Sequence, residues 1–251
     1  RDSIEVPFEM DSKVITLIDT AGMRRKRSIK EETEKFSVSK SVESIKKANV
    51  VILLLDSSES IVDQDIHLLG LTLTIGRPVI IAANKIDLLD KDKKLELENN
   101  IKRKTRFAQY LEPHFISAIK GTGVRKLLKK AQKAYNTSIK ELDTSILNKV
   151  LKEAVFNQQP SMSGRFRPKL RYAHAGGKNP PKIVIHGNNL KELKESYTKY
   201  LENFFRKKLN LGETPLTILY KEQTNPFKNK PNKLTERQLK KRKRIVKRRK
   251  K

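Results

Sequence analysis

Three short polar motifs, each directly after an apolar run, constrain the fold of this chain more than any other feature. The motifs are Asp19–Gly22 (DTAG), Asn84–Asp87 (NKID) and the pair Ser117-Ala118. Short apolar runs are separated by segments whose apolar residues recur at helical spacing. This pattern predicts buried parallel strands separated by helices. In such doubly wound α/β sheets, ligands bind beyond the carboxyl ends of the strands, where all three motifs lie. We therefore expect one ligand site built from the three motifs.

The predicted elements change in type after residue 141. Before it, strands are predicted over 4–8, 14–18, 50–55, 79–83 and 115–116, the first two as a hairpin, and helices over 32–48, 63–75, 91–110 and 124–135. After it, the order is a helix (144–157), two strands (169–175 and 182–186), a helix (193–209) and a strand (214–220). This second part predicts a small α+β domain.

The NKID motif predicts selection of a base. Guanine offers two adjacent donors, its ring N–H and its exocyclic amine, and the carboxylate of Asp87 can accept both. Adenine would turn a bare ring acceptor toward that carboxylate, so a site of this kind rejects adenine strongly. The stem of Lys85 can lie over the base plane. Asn84 can join neighbouring loops, and Ile86 completes the motif.

The DTAG motif is predicted to act at the phosphate end of the same nucleotide. Asp19 can hold Mg²⁺ through a water, since magnesium keeps most of its hydration. Gly22 lets a backbone N–H approach the terminal phosphate, because no Cβ obstructs it. Thr20 and Ala21 lie between them. At the third strand end, a backbone N–H of Ser117–Ala118 can meet the guanine carbonyl oxygen.

The residues after the DTAG motif give no catalytic group. Met23 stands where many regulatory GTPases carry a water-orienting Gln, and a thioether can neither orient nor activate water. We therefore assign no catalytic residue. A basic run follows, for which we expect phosphate or RNA contact, with a solvated loop as the alternative: Arg24, Arg25, Lys26 and Arg27.

The loop that should cradle the phosphates is missing. The motif G-x-x-x-x-G-K-[ST], whose backbone N–H groups and Lys bind the phosphates, occurs nowhere in the 251 residues. The three motifs resemble the later motifs of a P-loop-GTPase-type sheet, and this resemblance implies a sheet that lacks its first strand and its phosphate loop. A chain of this kind is not expected to hydrolyse nucleotide on its own.

Positive charge is concentrated at the carboxyl end. The net charge is +28, which favours an anionic partner, with nucleic acid first. Residues 228–251 carry 14 basic side chains and one acidic side chain, which predicts a mobile basic tail, although drift toward Lys is the alternative. The cations expected to contact RNA are Lys240, Lys241, Arg242, Lys243, Arg244, Lys247, Arg248, Arg249, Lys250 and Lys251.

Composition excludes several functional classes. The absence of cysteine excludes disulfides and thiolate chemistry and favours a reducing compartment. No apolar run approaches the roughly 20 residues of a membrane span, so we expect a cytoplasmic monomer without a membrane partner. The four histidines lack metal-ligand spacing. The aromatic residues of 197–205 recur at helical spacing and predict the core of the second domain rather than a base-stacking platform.

Together these residues resemble the bacterial double-GTPase family called Der or EngA. The stretch from Arg171 is the most specific part of the resemblance, which covers nearly the whole chain. The matching stretches are Arg1–Ser3, Asp19–Lys26, Asp63–Asp65, Asn84–Asp87, Ser117–Val124, Arg171–Asn188, Tyr197–Phe205 and Asn225–Phe227.

The resemblance implies an organisation and a function. Members carry two tandem GTPase domains and a C-terminal KH-like domain, bind GTP or GDP with Mg²⁺, and act in assembly of the large ribosomal subunit. Residues 1–140 then form most of the second GTPase domain, 143–227 the KH-like domain and 228–251 the basic tail. The implied partners are the large ribosomal subunit and its RNA. The usual KH grip on single-stranded RNA needs a GxxG clamp, and the stretch Gly187–Leu190 ends in Leu.

Two functions stay open from the sequence. One is a fragment of a ribosome-assembly GTPase that lacks its P-loop. The other is a non-catalytic RNA- or ribosome-binding protein that uses the KH-like domain and the basic tail. The sequence upstream of Arg1 distinguishes them, because a continuous reading frame with G-x-x-x-x-G-K-[ST] favours the first.

Overall fold

The computed structural model describes residues 4–19, 42–59, 61–162, 166–222, 235–238 and 240. The first element is a hairpin, in which β1 (Ile4–Met10) pairs antiparallel with β2 (Lys13–Asp19). Asp11 and Ser12 form its two-residue turn with φ of 50° and 59°, the positive values that a tight hairpin turn demands. The predicted hairpin is confirmed.

The first three-stranded sheet is parallel, and its central strand is buried on both faces. It contains β3 (Val51–Asp56), β4 (Val79–Asn84) and β5 (His114–Phe115) in the order β3-β4-β5. Because side chains alternate along a strand, Ile81 packs on one face and Ile80 on the other, and both are fully buried.

Helices cover both faces of this sheet. The face of Ile81 packs against α2 (Asp63–Ile75) and α3 (Lys91–Lys104), and the face of Ile80 packs against α4 (Val124–Ile139). This arrangement confirms the doubly wound α/β prediction. A further helix, α1, is described over residues 42–47.

The hairpin lies outside this sheet, which differs from the single sheet expected from the sequence. The described strands form a two-stranded sheet, β1-β2, and a separate sheet that begins at β3. The two hairpin strands satisfy each other's hydrogen bonds, and β3 pairs only with β4 in the described part of the chain. Apolar side chains are exposed on the hairpin and on β3: Val14 is 74% exposed and Leu54 is 52% exposed.

Several predicted element boundaries differ from the structure, and two of the differences have a visible cause. The predicted helix 91–110 ends at Lys104, where the hydroxyl of Thr105 donates to the carbonyl of Ile101 at 2.9 Å, and a short 3₁₀ turn follows at Arg106–Ala108. The last strand begins at Thr217, later than the predicted residue 214. Pro215 has no N–H to donate to a ladder.

The second part is an α+β unit around one three-stranded sheet. Its elements are α5 (Thr144–Asn157), β6 (Lys169–Gly177), β7 (Lys182–Asn188), α6 (Glu195–Leu209) and β8 (Thr217–Glu222). The strand order is β6-β7-β8, with β6 antiparallel and β8 parallel to β7.

One face of this second sheet packs against α5 and α6. Ile183, Ile185 and Ile218 lie in a core with Leu201 and Phe205 of α6, and all five are buried. The aromatic residues of α6 therefore belong to the core, as their spacing predicted. None of the helices in the described part of the chain has the length and apolar composition of a membrane span.

Buried polar contacts join the two parts. The guanidinium of Arg206 lies 3.6 Å from the ring centre of Tyr110 and donates to the carbonyl of Thr214. The hydroxyl of Thr214 donates to the carbonyl of Ala134 at 3.2 Å. Burial lowers the pKa of Arg206, because it disfavours the charged guanidinium, and raises the pKa of Tyr110, because it disfavours the phenolate.

Candidate functional site

The loops after the strands of the first sheet meet at one side chain. Asn84 ends β4, and its side-chain oxygen Oδ1 accepts a hydrogen bond from the backbone N–H of Lys85 at 2.8 Å and from that of Ala118 at 2.9 Å. The N–H of Ile86 donates to the carbonyl of Ile116 at 3.2 Å. The NKID motif and the Ser117-Ala118 pair therefore form one structure, although 29 residues, 88–116, separate them in the sequence.

Lys85 has an uncommon backbone conformation that sets the direction of the motif. Its φ is 67°, in the left-handed region that residues with a Cβ rarely adopt. Such a conformation persists where surrounding bonds impose it, and these residues cluster at functional sites. The 3₁₀ turn Ile86–Leu88 follows directly and carries Asp87 to the strand ends.

The environment of Asp87 favours its ionised carboxylate, which accepts hydrogen bonds. A hydrogen bond from the hydroxyl of Ser117 is the main cause that lowers the pKa of Asp87. Desolvation opposes it, and a backbone hydrogen bond and the charge of Lys120 add smaller lowering effects. The Ser117 side chain is only 1% exposed, so its position is fixed by packing. An ionised carboxylate accepts two hydrogen bonds and donates none, which suits a ligand with two adjacent donors.

An ion pair at these strand ends was not found from the sequence. The Nζ of Lys85 lies 2.5 Å from Oδ2 of Asp56, the last residue of β3, which pairs in register with Asn84. Desolvation opposes ionisation of Asp56, but hydrogen bonds from Lys85 and Ser58 outweigh it and lower the pKa of Asp56 to about 2. The available signal was that an Asp ends β3 at the same edge where Asn84 ends β4.

The loop after β5 is closely packed. The N–H of Ser117 donates to the carbonyl of Thr122 at 3.0 Å. Gly123 precedes α4 with φ of 78°, and a Cβ there would lie 2.7 Å from the carbonyl oxygen of Phe115. Only glycine fits such a position, so the backbone near Ala118 is held in one place.

The phosphate side of the predicted site lies almost entirely outside the described residues. Asp19 is the last residue of β2, and its side chain is outside what the structure describes, as are Thr20, Ala21, Gly22 and Met23. The basic run Arg24–Arg27 also lies outside the described residues. Among the tail cations only Lys240 is described, and it is exposed. No cluster of three His, Asp or Glu side chains that could hold a metal occurs among the described residues. The Mg²⁺ assignment to Asp19 stays a prediction.

A doubly wound parallel sheet with these loops at its strand ends, joined to the α+β unit, defines a GTPase-like α/β protein with a KH-like domain. The family described as the elongation factor Tu GTP binding domain matches residues 2–137. The family described as the KH-domain-like region of EngA bacterial GTPase enzymes, C-terminal, matches residues 141–221. The chain belongs to the EngA family of bacterial GTPases.

Relatives with the name GTPase Der match almost the whole chain. The protein from Teredinibacter turnerae is 49% identical over 98% of this chain and 53% of its own length. The protein from Tolumonas auensis is 46% identical over 98% of this chain and 49% of its own length. The chain therefore spans about half the length of the curated relatives it matches.

Solved structures of other GTPases align with the chain at lower similarity. A crystal structure of Era in complex with MgGDPNP and nucleotides 1506–1542 of 16S ribosomal RNA is 21% identical, with a TM-score of 0.45, over 92% of this chain and 84% of that chain. A probable GTP-binding protein engB is 17% identical, with a TM-score of 0.41, over 52% and 82% respectively.

Proposed function

We propose that the loops at the strand ends of the first sheet bind the guanine base of GTP or GDP. The observation that carries this proposal is the joint position of three groups: the ionised Asp87, the side chain of Asn84 and the backbone N–H at Ala118. Asp87 would accept from the ring N–H and amine of guanine. The backbone N–H of Ala118, which donates to Oδ1 of Asn84 in this structure, would share that hydrogen with the guanine carbonyl oxygen.

The stem of Lys85 is proposed to cover the base. Its ammonium group is anchored on Asp56, which leaves the methylene chain extended across the strand ends. A stem in this place offers apolar surface to a flat ring while its charge stays paired. The partial burial of Asp56 makes that anchor stronger than an exposed ion pair.

The phosphate end of the site is proposed on the sequence. The DTAG residues would approach the terminal phosphate, and Asp19 would hold Mg²⁺ through a water; bound Mg²⁺ would neutralise phosphate charge there. The 251 residues contain no G-x-x-x-x-G-K-[ST] motif. We therefore expect weak nucleotide binding by this chain, and hydrolysis only in longer family members.

The proposed biological role is in assembly of the large ribosomal subunit, in the cytoplasm, with ribosomal RNA as the partner. Its support is the family membership, the match of residues 141–221 to the KH-like domain of EngA enzymes and the net charge of +28. A second candidate is a non-catalytic RNA- or ribosome-binding protein. The absent phosphate motif and the basic residues 228–251 favour it.

Nucleotide competition tests the base site directly. Displacement of a fluorescent GDP from the purified chain is measured with GDP, ADP and free guanosine. We expect GDP and guanosine to displace the fluorescent GDP and ADP to fail, because adenine turns a ring acceptor, and no donor, toward the carboxylate of Asp87. Equal competition by ADP would contradict the guanine pocket.

Turnover of GTP by the same preparation separates the two candidate roles. Phosphate release at the level of a heat-inactivated control is expected for this chain. Release well above that control would show that the missing motif is dispensable. Sedimentation with isolated ribosomal subunits then tests the partner, and equal binding to both subunits would contradict a role specific to the large one.

A further inference from the structure

Three aromatic rings form a cluster on the face of the second sheet that no described helix covers. This ring cluster consists of Tyr172 and His174 on β6 and His186 on β7. The centres of the two imidazoles are 5.1 Å apart, and the Tyr172 ring centre lies 5.9 Å from each. Tyr172 is 44% exposed, and Leu219 beside the cluster is 43% exposed. The rings are therefore fixed against one another and still open to solvent.

The hydrogen bonds of the ring cluster assign its tautomers. Nδ1 of His174 lies 2.8 Å from the carbonyl oxygen of Ala175. A carbonyl only accepts, so neutral His174 carries its proton on Nδ1 and offers a lone pair at Nε2. Nε2–H of His186 then donates to that lone pair across 3.1 Å. The pair leaves little rotational freedom to either imidazole.

Cations surround the ring cluster on the same face. Lys221 is in register with His186, and Lys182 alternates with it along β7. Nε of Arg171 donates to Oδ1 of Asn188 at 2.9 Å, which turns the guanidinium toward this face. No Asp or Glu occupies an outward position on the described part of these three strands. The surface therefore offers flat rings within a positive field.

The stretch that would be a KH clamp is not available for RNA. Gly187 lies within β7, where a Cβ would be 2.0 Å from the carbonyl oxygen of Lys169. Leu190 is only 2% exposed in a 3₁₀ turn. This segment is packed at the end of the central strand, so another surface of the domain must carry any base contact.

We propose that the ring cluster is a stacking platform for the bases of single-stranded RNA, with Arg171, Lys182 and Lys221 contacting the phosphates. This inference rests on the proposed RNA-facing function. It adds which surface binds the RNA and that the bound RNA is single-stranded. Every base has a π-face, so such a platform tolerates sequence and requires unpaired bases. Duplex RNA hides those faces, and an acidic peptide would engage the cations without the rings.

The test compares RNA with and without bases. Fluorescence anisotropy of the full 251-residue chain is measured with a single-stranded RNA of about eight nucleotides, within the usual span of a stacking site, and with an abasic strand of equal length. Tyr172→Ala should weaken binding to the base-containing strand by about tenfold and leave abasic binding within about twofold. Tyr172→Phe should bind like the parent, because it keeps the ring.

Two control variants distinguish stacking from charge and from general surface effects. Phe156→Ala removes an 87% exposed ring on α5 of the same domain and should change neither affinity. Lys221→Gln should weaken binding to both strands alike. Far-UV circular dichroism shows whether each variant is folded.

The outcomes separate this proposal from the proposed function. Equal losses on both strands for Tyr172→Ala, or no loss on either, overturn the platform while RNA binding itself stands. If a variant of this face binds poly-glutamate more weakly and binds RNA as the parent does, the face is a peptide site and the platform proposal is overturned. A parent chain that binds no RNA contradicts the RNA-facing function and the platform together.

Discussion

The two three-stranded sheets of this protein differ in how many of their faces are covered. In the first sheet both faces of β4 are buried, with Ile80 and Ile81 each at 0% exposure. In the second, Ile218 is 7% exposed and its neighbour Leu219 is 43% exposed. A sheet covered on both faces can present polar groups only where its strands end. A sheet covered on one face keeps a surface.

This difference explains where chemistry occurs in each part. The first sheet carries Asp56, Asn84 and the Ser117 loop at its carboxyl ends, in the crevice typical of doubly wound folds. The second carries the ring cluster and its cations across the open face of three strands. The first arrangement would suit a small ligand, as proposed for guanine nucleotide, and the second would suit an extended one.

The largest expected effect tests the strand-end site. Asp87→Asn should change the preference of the chain between GDP and xanthosine diphosphate by about 10³-fold or more, because xanthine carries a carbonyl where guanine has an amine. An amide at position 87 can donate to that carbonyl. Competition against fluorescent GDP measures both affinities.

A matched Asp variant controls for charge. Asp92→Asn removes an exposed carboxylate in the first turn of α3, five residues along the chain, and should leave the preference unchanged. Full retention of guanine selectivity by Asp87→Asn would mean that another group reads the base, and the strand-end site would have to be rebuilt around it.

The second prediction concerns stability and tests the covering of the sheets. Ile80→Ala and Ile81→Ala should each lower the free energy of unfolding by about 2–5 kcal/mol, because both leave a cavity. On β8, Ile218→Ala should have a similar cost, whereas Leu219→Ala should stay within about 0.5 kcal/mol. Urea unfolding followed by circular dichroism measures all four.

A large loss for Leu219→Ala would break the comparison between the sheets. It would mean that another part of the chain packs on the face assigned here to RNA. Equal small losses for Ile80→Ala and Ile81→Ala would instead contradict the double covering of the first sheet.

Local sequence patterns predicted most of the fold and the strand ends at which the described motifs lie. The helix Asp63–Ile75 and the five residues of the apolar run before Asn84 follow from periodicity alone. The motif Asn84–Asp87 was placed at its strand end because apolar runs and ligand sites have a fixed relation in α/β sheets. These features depend on neighbours in the chain.

Contacts between distant residues could not be predicted in this way. The pairing of Lys85 with Asp56, the hydrogen bond between His174 and His186, and the packing of Arg206 on Tyr110 each join different elements. Periodicity gives the face on which a residue lies and says nothing about its partner across the fold. The end of α3 at Lys104 depended on a side-chain hydrogen bond of Thr105, which competes with the helix locally.

The third prediction separates the tail from the open sheet face. Residues 228–251 have a net charge of +13 from 14 basic residues and one acidic residue, so their RNA affinity should arise from counterion release. Deleting them should lower the affinity for all RNAs alike, by about ten- to a hundredfold at low salt, and flatten the salt dependence by about 0.7 to 0.9 for each phosphate that the tail neutralises.

Ribosomal-subunit binding across a salt series measures this effect. The tail deletion and Tyr172→Ala should differ in kind, because the first changes the salt slope and the second changes the dependence on bases. An unchanged slope after deletion would mean that the tail contacts no phosphate, and the electrostatic part of binding would move to the domain surface or to Arg24–Arg27.

The smallest expected effect concerns the ion pair at the strand ends. Asp56 has a pKa of about 2 in the folded protein, below its ordinary value of 3.8. A depressed pKa contributes stability that is fully present above the unfolded value and is lost as the pH falls through the folded value. Asp56→Asn should therefore destabilise the protein by about 1–2 kcal/mol at pH 7, and this loss should shrink as the pH falls from about 4 to 2.

A second Asp–Lys pair provides the control for the ion-pair prediction. Asp63 lies 3.8 Å from Lys104 and is fully exposed, so Asp63→Asn should have almost no effect at any pH. Urea unfolding of the parent and both variants at neutral and acid pH measures the difference. A pH-independent loss for Asp56→Asn would mean that Asp56 acts through packing, and the anchor for Lys85 over the base would then not be electrostatic. Lys85→Met separates these cases, since it removes the charge and keeps the stem: its loss should match that of Asp56→Asn at pH 7 only if the pair itself stabilises the strand ends.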